Sequence, residues 1–147
     1  MSKQGSAVGR SDPGSLLTGS VGQHVVFAAD DATGLVRTWF LGPITRADLE
    51  AYARTLADRG LFARPRLVDA RQAKFETSSE DITHFADIME DLRRQHGIAR
   101  TAFVAAADLQ YAMGRMYSMV SAARDPGFAV FRSVEEAEAW LRPPESI

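Results

Sequence analysis

Residues 66–81 read RLVDARQAKFETSSED, and the parsing of this stretch decides the fold. It opens on a short apolar run, Arg66–Ala70, and passes through a segment of mixed charge. It then reaches three hydroxyls in a row, Thr77, Ser78 and Ser79, just before a helical pattern. The run has the length and apolarity of a buried strand. Thr77-Ser78-Ser79-Glu80 has the form of a capping box, with Thr77 accepting from the Glu80 N–H and Glu80 reaching back. Ser78 with Asp81 offers the same box one residue later. Where strand, helix and strand alternate in this way, right-handed crossovers and parallel neighbours follow.

Upstream, His24–Ala29 (HVVFAA) is a β-branched and aromatic strand, and DDATG after it suits a turn. Leu35–Leu41 (LVRTWFL) is the second strand of a hairpin, and Gly42–Pro43 ends it. Thr45 caps the first helix with Asp48 at its third position. Leu49, Tyr52, Ala53 and Leu56 form an amphipathic stripe, and Gly60 stops the helix. Downstream, the second helix spans Ser79–Gln95 with Ile82, Phe85, Ala86, Met89 and Leu92 on one face, and Gly97 ends it. Thr101–Ala106 is a continuous apolar strand. Asp108 caps a third helix reaching Ala123, Asp125–Gly127 is a turn, and Phe128–Phe131 is the last strand. Ser133 with Glu136 caps a short helix ending at Trp140–Leu141. The order ββαβαβαβα defines an α/β class: a mixed sheet of four to five strands with an N-terminal hairpin and four helices.

Composition narrows the function classes. The 147 residues suit one domain with a single core. The chain divides into a Gly- and Ser-rich leader at 1–20, a domain at 21–142 and a tail at 143–147, with Leu16–Leu17 able to dock onto the domain. A net charge of -2 and the lack of a basic tract argue against nucleic acid as a partner. With no cysteine, disulfides and thiolate metal sites are excluded. No apolar run approaches the ~20 residues of a membrane span, and the N-terminus lacks a signal peptide's apolar region. The expectation is a cytoplasmic domain of bacterial type.

Candidate sites fall in two places. Ligands of parallel sheets usually bind beyond the carboxyl ends of the strands. Helix N-termini near Thr77–Ser79, Asp108 and Ser133 converge there and favour an anion, with Arg71 and Lys74 adding positive charge and Asp69 and Asp108 opposing it. A phosphate on Ser78 or Ser79 would also sit well at the positive end of its helix. The second place is the third helix, LQYAMGRMYSMVSAA, in which Leu109, Ala112, Met113, Met116, Met119, Val120 and Ala123 make the buried face. Tyr111 and Tyr117 widen it, and its methionines suit an adaptable apolar surface shared with Phe85 and Met89. Gly114 and Ser118 allow another backbone to approach. His24, His84 and His96 have no metal-set spacing, and no phosphate-binding Gly-rich loop or nucleophile elbow is present. Asp30–Asp31 and Asp69 suggest a phospho-accepting receiver, but a strand follows Gly34 directly and no lysine follows the last strand.

The segments LVDARQAKFETSSED (67–81), RTAFVAAADLQYAMGRMYSM (100–119) and FAVFRSVEEAEAWL (128–141), in this order of elements, resemble the SpoIIAA-like group of the STAS superfamily over residues 22–141. The resemblance implies a SpoIIAA-like (STAS) fold and a non-enzymatic domain; the residues themselves suggest no cofactor and no metal. In the anti-sigma-factor antagonists of that superfamily a regulatory serine sits in an Asp-Ser-Ser-Gly motif at the start of the second helix. By position Thr77 replaces the Asp, Ser78 and Ser79 keep the serines, and Glu80 replaces the Gly, so that Ser79 occupies the place of the phosphorylated residue. The group also resembles lipid-binding CRAL-TRIO domains, which implies a small apolar, amphipathic or lipid-like ligand near Phe85, Met89, Met113, Met116, Tyr117 and Met119. Contact with a membrane surface or a protein partner follows as a further expectation, and a dimer is compatible with it. The hydroxyl triplet is then first a helix cap, second an edge of a binding region and third a phosphoswitch.

Overall fold

A computed structural model describes residues 16–121 and 125–142. The elements, in chain order, are β1 (Leu16–Val21), β2 (Val25–Asp30), β3 (Val36–Thr45), α1 (Arg46–Asp58), β4 (Arg66–Glu76), α2 (Ser79–His96), β5 (Thr101–Val104), α3 (Asp108–Val120), β6 (Phe128–Phe131) and α4 (Val134–Leu141). Among the described residues the strands form one six-stranded sheet in the order β1-β2-β3-β4-β5-β6. The β1–β2 and β2–β3 pairs are antiparallel and the remaining pairs are parallel.

Spatial order equals chain order, and this decides where the helices lie. Each parallel crossover moves one strand further in the same direction, so right-handed connections place α1, α2 and α3 on one face. There they cover Val25, Val36, Phe40, Val68 and Phe103 of the main core. After β6 the chain turns back, and α4 packs on the other face, where Ala137 and Trp140 meet Leu67, Ala102 and Val104. Arg37 of β3 pairs there with Glu138 of α4.

Besides a β5 that ends at Val104 rather than Ala106 and an α3 that ends at Val120 rather than Ala123, three boundaries differ from the sequence expectation. The sheet has six strands because residues 16–20, assigned above to the leader, pair as β1 along β2. Gly19 and Ser20 give the stretch the look of a leader, yet Gly19 is a packing requirement. A β-carbon there would lie 2.6 Å from the Phe27 ring, which folds over the strand beneath Arg59. Residues 1–15 and the tail at 143–147 lie outside the described residues. Second, β3 does not end at Gly42–Pro43 but continues to Thr45. Its register with β2 stops at Phe40, so Pro43 faces a ladder on β4 alone, where a missing N–H is tolerated. Third, β4 runs on through the mixed-charge segment to Glu76, with a register shift between Trp39 and Leu41 opposite Asp69 and Gln72. The extra residue exchanges the faces: Val68 and Ala70 are buried before it, Ala73 and Phe75 pack inward after it, and Arg71, Gln72 and Lys74 are exposed.

The helix starts are fixed by side chains. Thr45 accepts from Asp48 N (3.2 Å) while Asp48 accepts from Thr45 N (2.9 Å). At α2 the cap is Ser78 rather than Thr77: Ser78 Oγ accepts from Asp81 N (3.0 Å) and Asp81 accepts from Ser78 N (2.9 Å). The extension of β4 carries the chain one residue further before it turns, which leaves Thr77 Oγ1 buried without a hydrogen-bond partner. At α3 the cap position is Ala107, not Asp108. Gln110 does the capping from inside the helix, its Oε1 accepting from Ala106 N and Ala107 N, both at 2.9 Å. Its Nε2 donates to the carbonyls of Arg71 (2.9 Å) and Ala73 (3.0 Å), which ties α3 to the irregular part of β4. Ser133 Oγ accepts from Glu136 N at 3.1 Å at the start of α4.

The buried face of α3 is rotated from the expected one. Gln110, Gly114 and Tyr117 are its buried residues; of the expected face Met113, Met116 and Val120 pack half-buried against the core, whereas Ala112 is exposed, Leu109 is 82 % exposed and Met119 is 71 % exposed. Gly114 sets this rotation, because a β-carbon there would stand 2.7 Å from the Phe103 ring. The close approach that Gly114 permits is therefore to an aromatic ring of β5, not to a neighbouring backbone. Ala123, expected on the buried face, lies outside the described residues.

Candidate functional site

Between the sheet and α1–α3 the core leaves a half-open cavity of about 80 Å³. A buried water needs only ~10–15 Å³ on such a measure, so this is more than a packing flaw of one atom. Its sheet wall is Phe40, Val68, Phe75, Phe103 and Phe128, and its helix wall includes Ile82, Phe85, Met89, Met113 and Tyr117. The rings touch edge to face, with Tyr117 and Phe128 centroids 4.7 Å apart and Phe40 and Tyr52 centroids 5.8 Å apart.

One end of the cavity is polar. Arg66, Thr101 and Phe128 are register neighbours at the amino ends of β4, β5 and β6. The two-residue period sends Arg66 to the same face as Val68. Arg66 is only 4 % exposed, its Nη1 donates to the Phe62 carbonyl, and its guanidinium lies over the Phe62 ring at 4.8 Å. Nearby, Asp125 accepts from Tyr117 OH (2.9 Å) and from Arg93 Nη1 (3.2 Å). Burial, reinforced by the Asp125 charge, pushes the Tyr117 hydroxyl up to about 12. Burial likewise raises Tyr52, whose hydroxyl bonds Thr38, and lowers the Arg66 guanidinium from its ordinary value.

The residues singled out in the sequence are distributed unevenly around this cavity. Phe85, Met89, Met113 and Tyr117 line it. Met116 does not; it is half-buried against the core, and Met119 points outward, because the rotation of α3 carries both away from the opening. The anion region does not assemble as expected. Arg71 binds Asp69 through Nε (2.9 Å) and Nη2 (2.7 Å), on the face opposite α2. Burial would raise the Asp69 carboxyl, but the hydrogen bonds and charge of Arg71 hold it below the usual range. Lys74 is exposed, Ser78 is engaged by Asp81, and Ser79 is exposed at the first position of α2, followed by Glu80 and Asp81. Among the described residues the strands run in chain order, so their order does not reverse at any point beyond the carboxyl ends.

Sequence reading missed Arg66, Thr101, Arg93 and Asp125. For Arg66 a signal existed: it stands two residues from the inward Val68 in an apolar run, so it had to share that buried face. Among the described residues no group of three or more His, Asp or Glu side chains is placed to hold a metal ion, and no helix is long and apolar enough to cross a membrane.

No protein-family model matches the sequence, and no curated protein matches it either. Among solved structures the chain is similar to an uncharacterized protein of the DUF3478 family with a SpoIIAA-like fold from Shewanella loihica PV-4. The two share 21 % identity at a TM-score of 0.54, over 84 % of this chain and 98 % of that one. The architecture of this chain is thus SpoIIAA-like, and among the described residues its sheet has one more strand than the four to five expected.

Proposed function

We propose that this chain is a non-catalytic binding domain that holds a small apolar or amphipathic ligand in the cavity between the sheet and α1–α3. The observation that carries the reading is the cavity itself, walled by aromatic and methionine side chains within the main core. At about 80 Å³, roughly half the ~150 Å³ known to take benzene, it is too small for a long lipid and takes a short chain only as its wall gives way. Met89 and Met113 in its wall can shift to widen it. The competing role, a protein-interaction regulator switched by phosphorylation of Ser79 or Ser78, has less support. A phosphate at Ser79 would stand beside Glu80 and Asp81, and Arg71 is held by Asp69.

Native mass spectra of protein purified gently from its own host should show extra mass that is lost on denaturation. Met89→Trp, which fills the cavity with an indole, should abolish that mass while leaving the far-ultraviolet circular dichroism unchanged. A bare native mass, or extra mass equal to a covalent phosphate, would count against the binding-domain reading.

A further inference from the structure

We infer that the ligand is a small monocarboxylate, its apolar body among the aromatic side chains and its carboxylate on the guanidinium of Arg66. This deepens the binding-domain reading and rests on it. A guanidinium carries five N–H donors, yet among the described residues Arg66 makes one hydrogen bond, to a carbonyl, and pairs with no carboxylate. A buried unpaired cation is costly and calls for a counter-charge. The carboxylate that lines the cavity, Asp125, is already held by Arg93 and Tyr117. The almost fully buried charged side chains on this face are Arg66, Arg93 and Asp125, two positive and one negative, so that Arg66 and Arg93 share one carboxylate. Arg93 Nη2, on the same face, is buried without a partner.

A carboxylate suits this excess in both charge and shape, because it pairs with a guanidinium through two parallel hydrogen bonds. Thr101, next to Arg66 in the sheet register, offers a hydroxyl at the same end. The aromatic walls discriminate against small hydrated inorganic anions, which would have to shed water against rings that offer no hydrogen bonds. Neither the helix N-termini nor the loop cations take part. The charge that selects the ligand lies at the amino ends of the strands.

Calorimetric titration of the full chain with hexanoate and with 1-hexanol tests this. The wild type is expected to bind hexanoate at least ten-fold more tightly than 1-hexanol. Arg66→Met should erase that preference while retaining 1-hexanol binding, and Arg66→Lys should keep part of it. Equal or weaker binding of hexanoate by the wild type overturns the anion assignment and leaves the apolar cavity standing. A hexanoate preference that survives Arg66→Met overturns it too. Binding of neither probe overturns both readings. If Arg66→Met does not fold, the comparison of the two probes on the wild type decides alone.

Discussion

Thr77 and Ser78 are adjacent hydroxyl residues with opposite consequences for stability. Ser78 satisfies an otherwise unpaired N–H of α2 through Asp81 N, whereas the Thr77 hydroxyl is buried with nothing to bond. Ser78→Ala should therefore cost ~1 kcal/mol, lowering Tm by about 2–4 °C in a chain of this size. Thr77→Val keeps the shape of the side chain and removes the unmet hydroxyl, so its Tm should be unchanged or higher. Differential scanning calorimetry of the two variants checks the assignment, and a larger loss in Thr77→Val than in Ser78→Ala would return the cap to Thr77. Capping of α2 was legible in the sequence, but the position was not. The TSSE and SSED boxes overlap, and only the length of β4 chooses between them.

At the scale of elements, α3 is held by its least hydrophobic positions. Gln110 hydrogen-bonds four backbone groups, and Gly114 sits on the Phe103 ring. Alanine is the better helix former by ~1 kcal/mol, yet Gly114→Ala should destabilise by about 1–3 kcal/mol because its methyl overlaps that ring. Urea denaturation measures the balance, and a more stable variant would show that α3 can lift off β5 without loss. The order of strands and helices was readable from periodicity and caps. The rotation of α3 was not, because Leu109, Ala112 and Met119 extend the same apolar pattern as Met113, Met116 and Val120, and contacts made elsewhere in the chain decide which of them turn inward. The full lengths of β3 and β4 were hidden for a related reason. An irregular register breaks the alternation by which a strand is recognised, so Arg71, Gln72 and Lys74 look like loop.

For the molecule as a whole, the buried hydroxyls of Tyr117 and Tyr52 make the fold sensitive to alkali. Tyr117 lies against Asp125 and Arg93, and its hydroxyl is raised to about 12 in the folded state against ~10 in the unfolded chain. The neutral form is the one the fold holds. Its contribution is complete below pH ~10 and is lost as pH rises from there through about 12. Urea midpoints measured from pH 9 to 12 should fall across this window, and Tyr117→Phe should flatten the fall; an unchanged slope in that variant would place the titrating group elsewhere. The strand order has a consequence for how the chain is made. Because each of the six described strands lies beside the one before it, a ribosome delivers each of β2 to β6 to an edge that already exists, and none of these has to be inserted between two that have paired. The sheet can be laid down in the direction of synthesis, one open edge at a time, with β6 the last row to be added.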